Sequence, residues 1–253
     1  MTEDFVSIVV KFPKEVPYIH LYPLLDLHIG AKECDMKLAL QWRQTVLDDP
    51  YGYVLIGGDL MNNGIKSSKT NVYEEVLKPQ EQKDALYEFL IPLATAGRIL
   101  SWNSGNHEYR SVKEVGTDPG YDVACRLGIE GIYRQNACFL KISLGEAKID
   151  RQQVYTIFTS HGSSRNKHQK FLYCLEGVDL ALSGHTHIYE HSCITKMHFN
   201  PFNNKVRFRT MHVLVLSSFL KFGGYALRAE YLPQVMDDFV KITLCGNKKK
   251  III

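Results

Sequence analysis

Short apolar runs that end in polar residues recur along this 253-residue chain and limit what it can fold into. The runs are rich in β-branched residues, have the length of strands and are often flanked by Gly or Asp. They span residues 6–10, 18–25, 53–58, 98–104, 138–144, 154–160, 178–184, 211–219 and 239–244. Helix-like stretches lie between them at 36–48, 71–97 and 119–128, and Pro79 suits the first turn of a helix. Strands and helices alternate in the first half and strands dominate the second, which predicts an α/β layered domain with mixed sheets.

Composition and charge exclude several classes of protein. The chain is 45% hydrophobic and 23% charged, near the average for globular proteins, and its net charge of +3 is too small to indicate nucleic-acid binding by itself. Six cysteines form no CxxC pair, so we predict reduced thiols rather than a disulfide framework. The start lacks the features of a secretory signal, and no apolar run approaches the roughly 18 residues of a membrane helix. We therefore expect one cytoplasmic domain, 1–253, with no membrane partner and with GNKKKIII as a terminal strand or frayed tail.

Polar clusters begin where five of the apolar runs stop. In layered α/β folds, ligands bind beyond the carboxyl ends of strands, where loops from distant segments meet. Asp, Asn and His together suit divalent transition metals, and this set exceeds the needs of one ion. It predicts a two-metal centre in which one carboxylate bridges ions about 3.5–4 Å apart. The clusters are Asp26-Leu27-His28, Gly58-Asp59, Gly105-Asn106-His107-Glu108, His161-Gly162 and Gly184-His185-Thr186-His187.

The spacing within the clusters supports this interpretation. In an extended segment, residues two apart point to the same side, so Asp26 with His28, and His185 with His187, can reach one point. We expect Gly184 to turn the chain and the neighbouring glycines to allow close backbone approach. Each cluster alone could be an ordinary turn, loop or core feature. Their shared placement at strand ends favours the metal centre.

With these motifs, the sequence resembles the calcineurin-like metallophosphoesterases, whose pattern is D-x-H, GD, GNH[DE], H and GHxH in this order. It is similar, more loosely, to small phage and bacterial members of the DNA-repair exonuclease type. The resemblance runs from Asp26 to His187. It implies a four-layer α-β-β-α sandwich of two mixed β-sheets flanked by helices, and hydrolysis of phosphoesters by a metal-activated hydroxide.

The resemblance also implies roles for single residues. His107 looks like the family's catalytic histidine, which contacts the phosphate and protonates the leaving oxygen. Two divalent cations are implied, with Mn²⁺ expected in vitro and Fe²⁺, Zn²⁺ or Ni²⁺ as alternatives. One ion would be bound by Asp26, His28, Asp59 and His187, and the other by Asp59, Asn106, His161 and His185, with Asp59 bridging.

Residues beside these motifs have two interpretations each. Glu108 could orient a ligand and Arg110 could contact substrate phosphate, but a surface salt bridge is an equal alternative for both. Asn62 and Asn63 follow Gly58-Asp59 where many relatives carry an acid or Asn, so they could shape the site.

Other histidines and cysteines are assigned no metal. His191, Cys193 and His198 have a spacing that suits a strand whose side chains face one layer, and no compact tetrahedral set can be assembled from them. We therefore predict no third metal site. The histidines interpreted as core or surface residues are His20, His168 and His212.

The substrate is less constrained than the metals. The segment after His161 is predicted to be a loop that brings Arg165 and Lys167 to the substrate, with Phe171 and Tyr173 following. Basic residues with interleaved aromatics suit DNA, RNA or nucleotides. A solvated basic loop is the competing interpretation. Residues 63–71 add two lysines, and their polar character could equally mark a mobile loop.

Three functions are open at this point. The first is a phosphodiesterase or nuclease acting on nucleic acid or nucleotides. The second is a phosphomonoesterase, including the Ser/Thr protein phosphatase type, which the absence of a DRG sequence after Gly58-Asp59 weakens. The third is a scaffold that has lost catalysis, which the retention of every expected ligand weakens. Protein partners are not predicted.

Overall fold

The computed structural model describes residues 6–66, 68, 72–148, 151–228, 230 and 238–253. Its α-helices are α1 (Met36–Asp48), α2 (Pro79–Thr95), α3 (Asn106–Val115), α4 (Pro119–Leu127), α5 (Arg165–Leu172) and α6 (Gly224–Arg228). Its strands are β1 (Ile8–Lys11), β2 (Tyr18–Leu24), β3 (Gly52–Ile56), β4 (Ile99–Asn103), β5 (Tyr133–Arg134), β6 (Ala137–Lys148), β7 (Arg151–Ser160), β8 (Leu180–Ser183), β9 (Glu190–Asn200), β10 (Lys205–Val215), β11 (Ile242–Cys245) and β12 (Ile251–Ile252). Short 3₁₀ helices span Val72–Glu74 and Glu130–Ile132.

Within the described residues, the strands form two six-stranded sheets. The first sheet has the order β1-β6-β7-β8-β10-β9, and the second has the order β12-β11-β2-β3-β4-β5. The neighbours β7, β8 and β10 run parallel in the first sheet, as do β2, β3, β4 and β5 in the second, while the other pairs except β1-β6 are antiparallel. The prediction of two mixed sheets is therefore confirmed.

Alternate residues of the strands bury the inner faces of the two sheets against each other. Ile19, Leu21 and Leu55 of the second sheet pack in one cluster with Leu140 and Ile157 of the first. All five are essentially inaccessible to solvent. Full burial of one such side chain stabilises the fold by roughly 1.5–3 kcal/mol.

Helices cover the outer faces of both sheets. Trp42 of α1 and Leu86 of α2 pack on Leu24 of the second sheet. On the opposite side, Leu172 of α5 packs with Phe158 of the first sheet. These contacts complete the predicted α-β-β-α layering, with helices on both outer faces.

The main differences from the sequence-based prediction lie in polar segments. The segment after His161 is a helix, α5, rather than a loop, because His168 and Leu172 lie one turn apart and are both buried. The second helix begins at Pro79, which confirms the predicted first turn there, although the helix-like stretch 71–97 begins earlier. At its start Glu81 accepts a hydrogen bond from the Lys78 amide (2.7 Å).

The last residues of the chain form a strand, as one of the two sequence-based interpretations predicts. The terminal segment contributes β12, which pairs with β11, so the strand interpretation of the tail is confirmed. The possible mobile loop at 63–71 includes residues 67 and 69–71, which lie outside the described residues. No helix among the described residues is long and apolar enough to cross a membrane. The single-domain boundary, 1–253, stays a prediction.

Candidate metal centre

The predicted ligands all follow strands, and the structure brings them together at one edge of the sandwich. Strands β2, β3 and β4 are parallel neighbours, as are β7 and β8, so the carboxyl ends within each set lie side by side. Backbone hydrogen bonds join the loops that follow, including Asp26 N to Gly58 O (3.1 Å) and Gly184 N to His161 O (3.0 Å). The loops meet across the two sheets, since the His185 amide donates to Asp26 Oδ2 (3.0 Å).

Asp26, His28 and His187 form the first ligand group. Nε2 of His187 lies 3.2 Å from Asp26 Oδ1 and 3.3 Å from Nε2 of His28. One potential ligand atom from each of the three residues lies within 4.8 Å of the others. Asp26 and His28 are buried and His187 is half-buried, so this group lies on the inner side of the site.

The second ligand group is formed by Asp59, Asn106, His161 and His185. Nε2 of His161 lies 3.0 Å from Asp59 Oδ2 and 3.3 Å from Nδ1 of His185. The same His185 nitrogen lies 2.8 Å from Asn106 Oδ1. Asn106 and His185 are exposed, so the site opens to solvent on their side.

The two ligand groups meet at the buried carboxylates. Asp26, Asp59 and His161 offer ligand atoms within 4.8 Å of one another, and so do His28, Asp59 and His107. Asp59 thus lies within reach of both groups. This is the position that a bridging carboxylate requires.

One oxygen of Asp26 provides a test of whether the site suits a cation. Oδ1 is buried and has no hydrogen-bond partner among the described residues. Nε2 atoms of His28, His161 and His187 face it at 3.2–3.9 Å. Buried polar atoms are usually paired, and a carboxylate oxygen surrounded by imidazole nitrogens matches the donor set of a divalent transition metal. The residues present therefore fit the metal centre that the sequence predicts.

The backbone of the ligands is unusual. A positive φ is uncommon outside glycine and clusters at functional sites, although Asp, Asn and His tolerate it best. Eight non-glycine residues of the described chain have a positive φ, and five of them are predicted ligands. Their φ values lie between 51° and 69° for Asp26, His28, Asp59, His185 and His187. Backbone strain is thus concentrated where the ligands converge.

Backbone carbonyls orient two of the imidazoles. Nδ1 of His161 lies 3.2 Å from Gly57 O, and Nδ1 of His107 lies 2.7 Å from Asn62 O. Donation from Nδ1 leaves Nε2 of each ring directed at the carboxylates. Nε2 of His107 is 3.6 Å from Asp59 Oδ2.

The charges in the site are strongly coupled. Burial raises the pKa of Asp26, but the positive charges of His187 and His161 outweigh it and hold that pKa well below its usual range. The pKa of Asp59 is likewise lowered, because His161 and His107 outweigh the effect of burial. Burial lowers the pKa of His161, but Asp59 and Asp26 raise it to about 10. The ionised carboxylates therefore attract positive charge, and a metal ligated by His161 must displace its proton.

Glycines allow the loops to approach one another. A Cβ on Gly184 would overlap Asp26 Oδ2, and a Cβ on Gly105 would overlap Asp59. Gly58 has a φ of +89°, and a Cβ there would overlap the backbone of Gly105. Gly184 does not have a positive φ, so its small size, rather than a special turn conformation, explains its place in the motif.

Glu108 holds two ligand loops together through their backbones. It is 2% exposed, and its carboxylate accepts 3.0 Å hydrogen bonds from the amides of Asp59, Met61 and Gly105. Burial raises the pKa of Glu108 to about 7, and the negative charge of Asp59 adds to this effect. The salt-bridge alternative is wrong for Glu108, which positions Asp59 and the start of α3 instead.

We expect Glu108→Gln to lower the free energy of unfolding by about 2 kcal/mol, because an amide nitrogen would replace an oxygen that accepts buried N–H groups. Chemical denaturation of the variant and wild type measures this difference. The matched control is Glu114→Gln, an exposed position of the same helix, where we expect no measurable change. Equal stability of Glu108→Gln and Glu114→Gln would show that Glu108 does not hold the loops.

Arg110 lies beside His107. Its Nη2 is 3.0 Å from Nε2 of His107, and its Nη1 donates to Asn62 O (3.3 Å). The guanidinium is half-buried and has no carboxylate partner within salt-bridge distance among the described residues. A role for Arg110 in binding substrate phosphate stays a prediction, now with a position next to the predicted catalytic histidine.

A polar network around Asn62 and Asn63 supports the loop after β3, through partners that the sequence-based reasoning missed. The side chain of Asn63 donates to His107 O (2.7 Å), and the backbone amide of Asn63 donates to Oε1 of Gln82 (2.7 Å). Asn62 donates to Oε1 of Glu75 (3.0 Å), and Gln82 also donates to Glu75. Gln82 is fully buried in α2. A glutamine on the buried face of a helix was the available sequence signal.

The predicted substrate contacts Arg165 and Lys167 lie on α5. Both are exposed, and Arg165 forms an ion pair with Glu190 (3.0 Å). Neither forms a hydrogen bond or an ion pair with a predicted metal ligand among the described residues. The helix nevertheless begins at Arg165, shortly after the predicted ligand His161, so it lies beside the site. Burial lowers the pKa of His168, and the charge of His185 lowers it further.

The chain has a similar solved structure but no matching sequence family. No protein-family model matches the chain, and no curated protein sequence matches it. Among solved structures, the chain is similar to the crystal structure of the calcineurin-like phosphoesterase YfkN from Bacillus subtilis. The identity is 11%, the TM-score is 0.40, and the similarity covers 80% of this chain and 82% of that chain. The function proposed below therefore rests on the geometry of the site.

Proposed function

We propose that the chain is a dinuclear metal-dependent phosphoesterase that acts most effectively on phosphodiesters. The observation that carries this proposal is the convergence of two carboxylates and four histidines in one place, where three of the histidines face a buried carboxylate oxygen that has no hydrogen-bond partner among the described residues. These residues are Asp26, Asp59, His28, His161, His185 and His187. Asn106 and His185 leave the site open to solvent, so a phosphate group can enter there. When bound, two divalent cations would lower the pKa of a water molecule and neutralise charge on the phosphate oxygens.

In this proposal His107 moves a proton at Nε2. Burial lowers the pKa of His107, and although Asp59 opposes this, His28 and Arg110 lower it further, to about 3. The ring is therefore neutral before substrate binds. An anionic phosphate bound by Arg110 would offset the guanidinium charge, raise the pKa of His107 and allow Nε2 to carry the proton that the leaving oxygen receives.

The surface of α5 supports nucleic acid as the substrate class. Lys167 and Lys170 are exposed on this helix, and Phe171 and Tyr173 expose 48% and 64% of their surface. Lysines can contact backbone phosphates, and exposed aromatic rings can stack on unpaired bases. Because α5 lies beside His185, a single strand crossing it would reach the proposed metals.

Turnover of four substrates tests this function. Purified protein reconstituted with Mn²⁺ is assayed on bis-p-nitrophenyl phosphate, p-nitrophenyl phosphate, single-stranded DNA and a cyclic nucleotide. We expect the diesters to be hydrolysed faster than the monoester, and a chelator to abolish turnover. Faster hydrolysis of the monoester would favour the phosphatase alternative. Metal binding without turnover of any substrate would contradict the phosphoesterase proposal and favour a scaffold.

A double variant tests the nucleic-acid part of the proposal separately. Lys167→Gln combined with Lys170→Gln should raise the KM for single-stranded DNA and make that KM less dependent on salt concentration. Turnover of bis-p-nitrophenyl phosphate should not change. The matched control is Lys205→Gln, an exposed lysine on β10. An unchanged KM for DNA in the double variant would remove α5 from the substrate path.

A further inference from the structure

A second group of metal-ligand side chains lies on the pair β9-β10. Cys193 is directly opposite His212 in this antiparallel pair, and His191 is opposite Leu214. Residues two apart on a strand, and residues directly opposite on its neighbour, project from the same face. His191, Cys193 and His212 therefore share one face of the first sheet, at its edge strand β9.

The three side chains are already in contact. Nε2 of His191 lies 3.3 Å from Nδ1 of His212, and Sγ of Cys193 lies 3.6 Å from the same nitrogen. Their potential ligand atoms all lie within 4.8 Å of one another. His191 and Cys193 are exposed and His212 is half-buried, so an ion can enter from solvent without rearrangement of the core.

This group is separate from the candidate catalytic centre. His212 pairs with Leu180, the first residue of β8, whereas His185 and His187 follow the opposite end of that strand. The ligand groups at the candidate catalytic centre contain Asp and His but no cysteine among the described residues. The two places therefore have different chemistry.

We propose that His191, Cys193 and His212 bind one Zn²⁺ ion. Two imidazoles and a thiolate favour a borderline-soft ion with tetrahedral preference over Mn²⁺ or Mg²⁺, which prefer oxygen. Binding releases the thiol proton of Cys193 to solvent. The carboxylate of Asp179 is engaged by Lys249 (2.7 Å) and Thr156, so it is not counted as a ligand. Because His191 and Cys193 are exposed, a water molecule can complete the coordination.

The proposed zinc site lies at the base of a hairpin extension formed by β9 and β10. Strand β10 pairs with β8 only from His212 onward, so the remainder of the β9-β10 hairpin, from Lys205 to Met211, extends beyond that neighbour. Zn²⁺ would join the two strands at the base of this extension. It would add a cross-link where the edge strand has a partner on one side only.

This proposal is an alternative to the sequence-based prediction of no third metal site, and it uses a different set of residues. His198 pairs with Arg207 and has the opposite strand parity from His191 and Cys193, so it projects from the other face. His212, interpreted from the sequence as a core or surface residue, takes its place. The pairing of two strands, which the sequence does not specify, assembles the ligand set.

Cobalt substitution tests the proposal. The full-length metal-free protein is titrated with Co²⁺, whose bond to a thiolate gives a charge-transfer absorption band in the near ultraviolet. We expect this band to form, to disappear when Zn²⁺ is added, and to be abolished by Cys193→Ser. We also expect Cys193→Ser to weaken Zn²⁺ binding by more than about 100-fold, beyond the range for residues that only support a ligand.

Controls separate this site from the proposed catalytic metals. Cys174→Ser removes another exposed free cysteine and should leave the band unchanged. His191→Gln keeps the thiol but should weaken the band, and circular dichroism verifies that each variant is folded. Absence of the band in wild type, or its persistence in Cys193→Ser, would overturn the proposal. Asp59→Asn should retain the band, so this test can succeed even if the proposed phosphoesterase function fails.

Discussion

Asp59→Asn is expected to lose both proposed catalytic metals and to lower phosphodiester turnover by about 10³-fold or more. The two ligand groups meet at this carboxylate, and its Oδ2 lies 3.0 Å from Nε2 of His161. An asparagine removes the negative charge and one oxygen ligand, so neither group retains its full donor set. Metal catalysis contributes several kcal/mol to a hydrolytic transition state, and about 4 kcal/mol corresponds to this fold-change. Metal content after Mn²⁺ reconstitution and turnover of bis-p-nitrophenyl phosphate measure both effects.

The control for this variant is Asp48→Asn, an exposed position at the end of α1. It makes the same chemical change away from the site, so metal content and turnover should match the wild type. In the wild type the His107 backbone amide donates a hydrogen bond to Asp59 Oδ1 (2.8 Å). The side-chain oxygen of an asparagine can accept the same hydrogen bond, so we expect Asp59→Asn to fold. Full metal content together with full activity in Asp59→Asn would contradict the bridging assignment.

The ligand set could be predicted from the sequence because each motif is local. Asp26 with His28, and His185 with His187, are each two residues apart, and parallel strands bring their carboxyl ends to the same edge. These residues do converge, but all four have a positive φ, so the expectation that they lie in extended segments is wrong. The sandwich follows from the same pattern, since apolar runs of strand length alternate with helix-like stretches. Helix α1 spans the predicted residues Met36–Asp48, because its N-terminus is marked by Asp35, whose side chain accepts from Leu38 N (3.1 Å).

Features that depend on tertiary contacts could not be predicted in the same way. Helix α5 has a polar sequence, and only the burial of His168 and Leu172 against the first sheet distinguishes it from a loop. Glu108 had two equal interpretations, because its role depends on amides of a loop that lies far away in sequence. The cluster around Cys193 depends on strand register, which no local motif determines.

The second large effect is expected for His107→Ala, which should keep the metals and lose about 10²–10⁴-fold in turnover of substrates with poor leaving groups. The alanine variant keeps the His107 backbone amide that donates to Asp59 Oδ1 (2.8 Å). It removes only the ring, whose Nδ1 is bound to Asn62 O and whose Nε2 lies 3.0 Å from Arg110. If Nε2 protonates the leaving oxygen, the loss should grow as the leaving group becomes more basic. A nitrophenolate leaves readily without a proton, so bis-p-nitrophenyl phosphate should show a much smaller loss than a dinucleotide or single-stranded DNA.

This dependence on the leaving group distinguishes proton transfer from simple positioning. Removal of a group that only orients Arg110 would raise KM and slow all substrates by a similar factor, because in this proposal the guanidinium would contact the phosphate that all of them share. The turnover number measured across aryl and alkyl phosphodiesters therefore separates the two roles, with metal content measured on the same samples. His198→Ala, at an exposed position of β9, is the matched histidine control and should match the wild type on every substrate. An equal loss on activated and unactivated diesters would exclude His107 as the general acid and leave it as a positioning residue for Arg110.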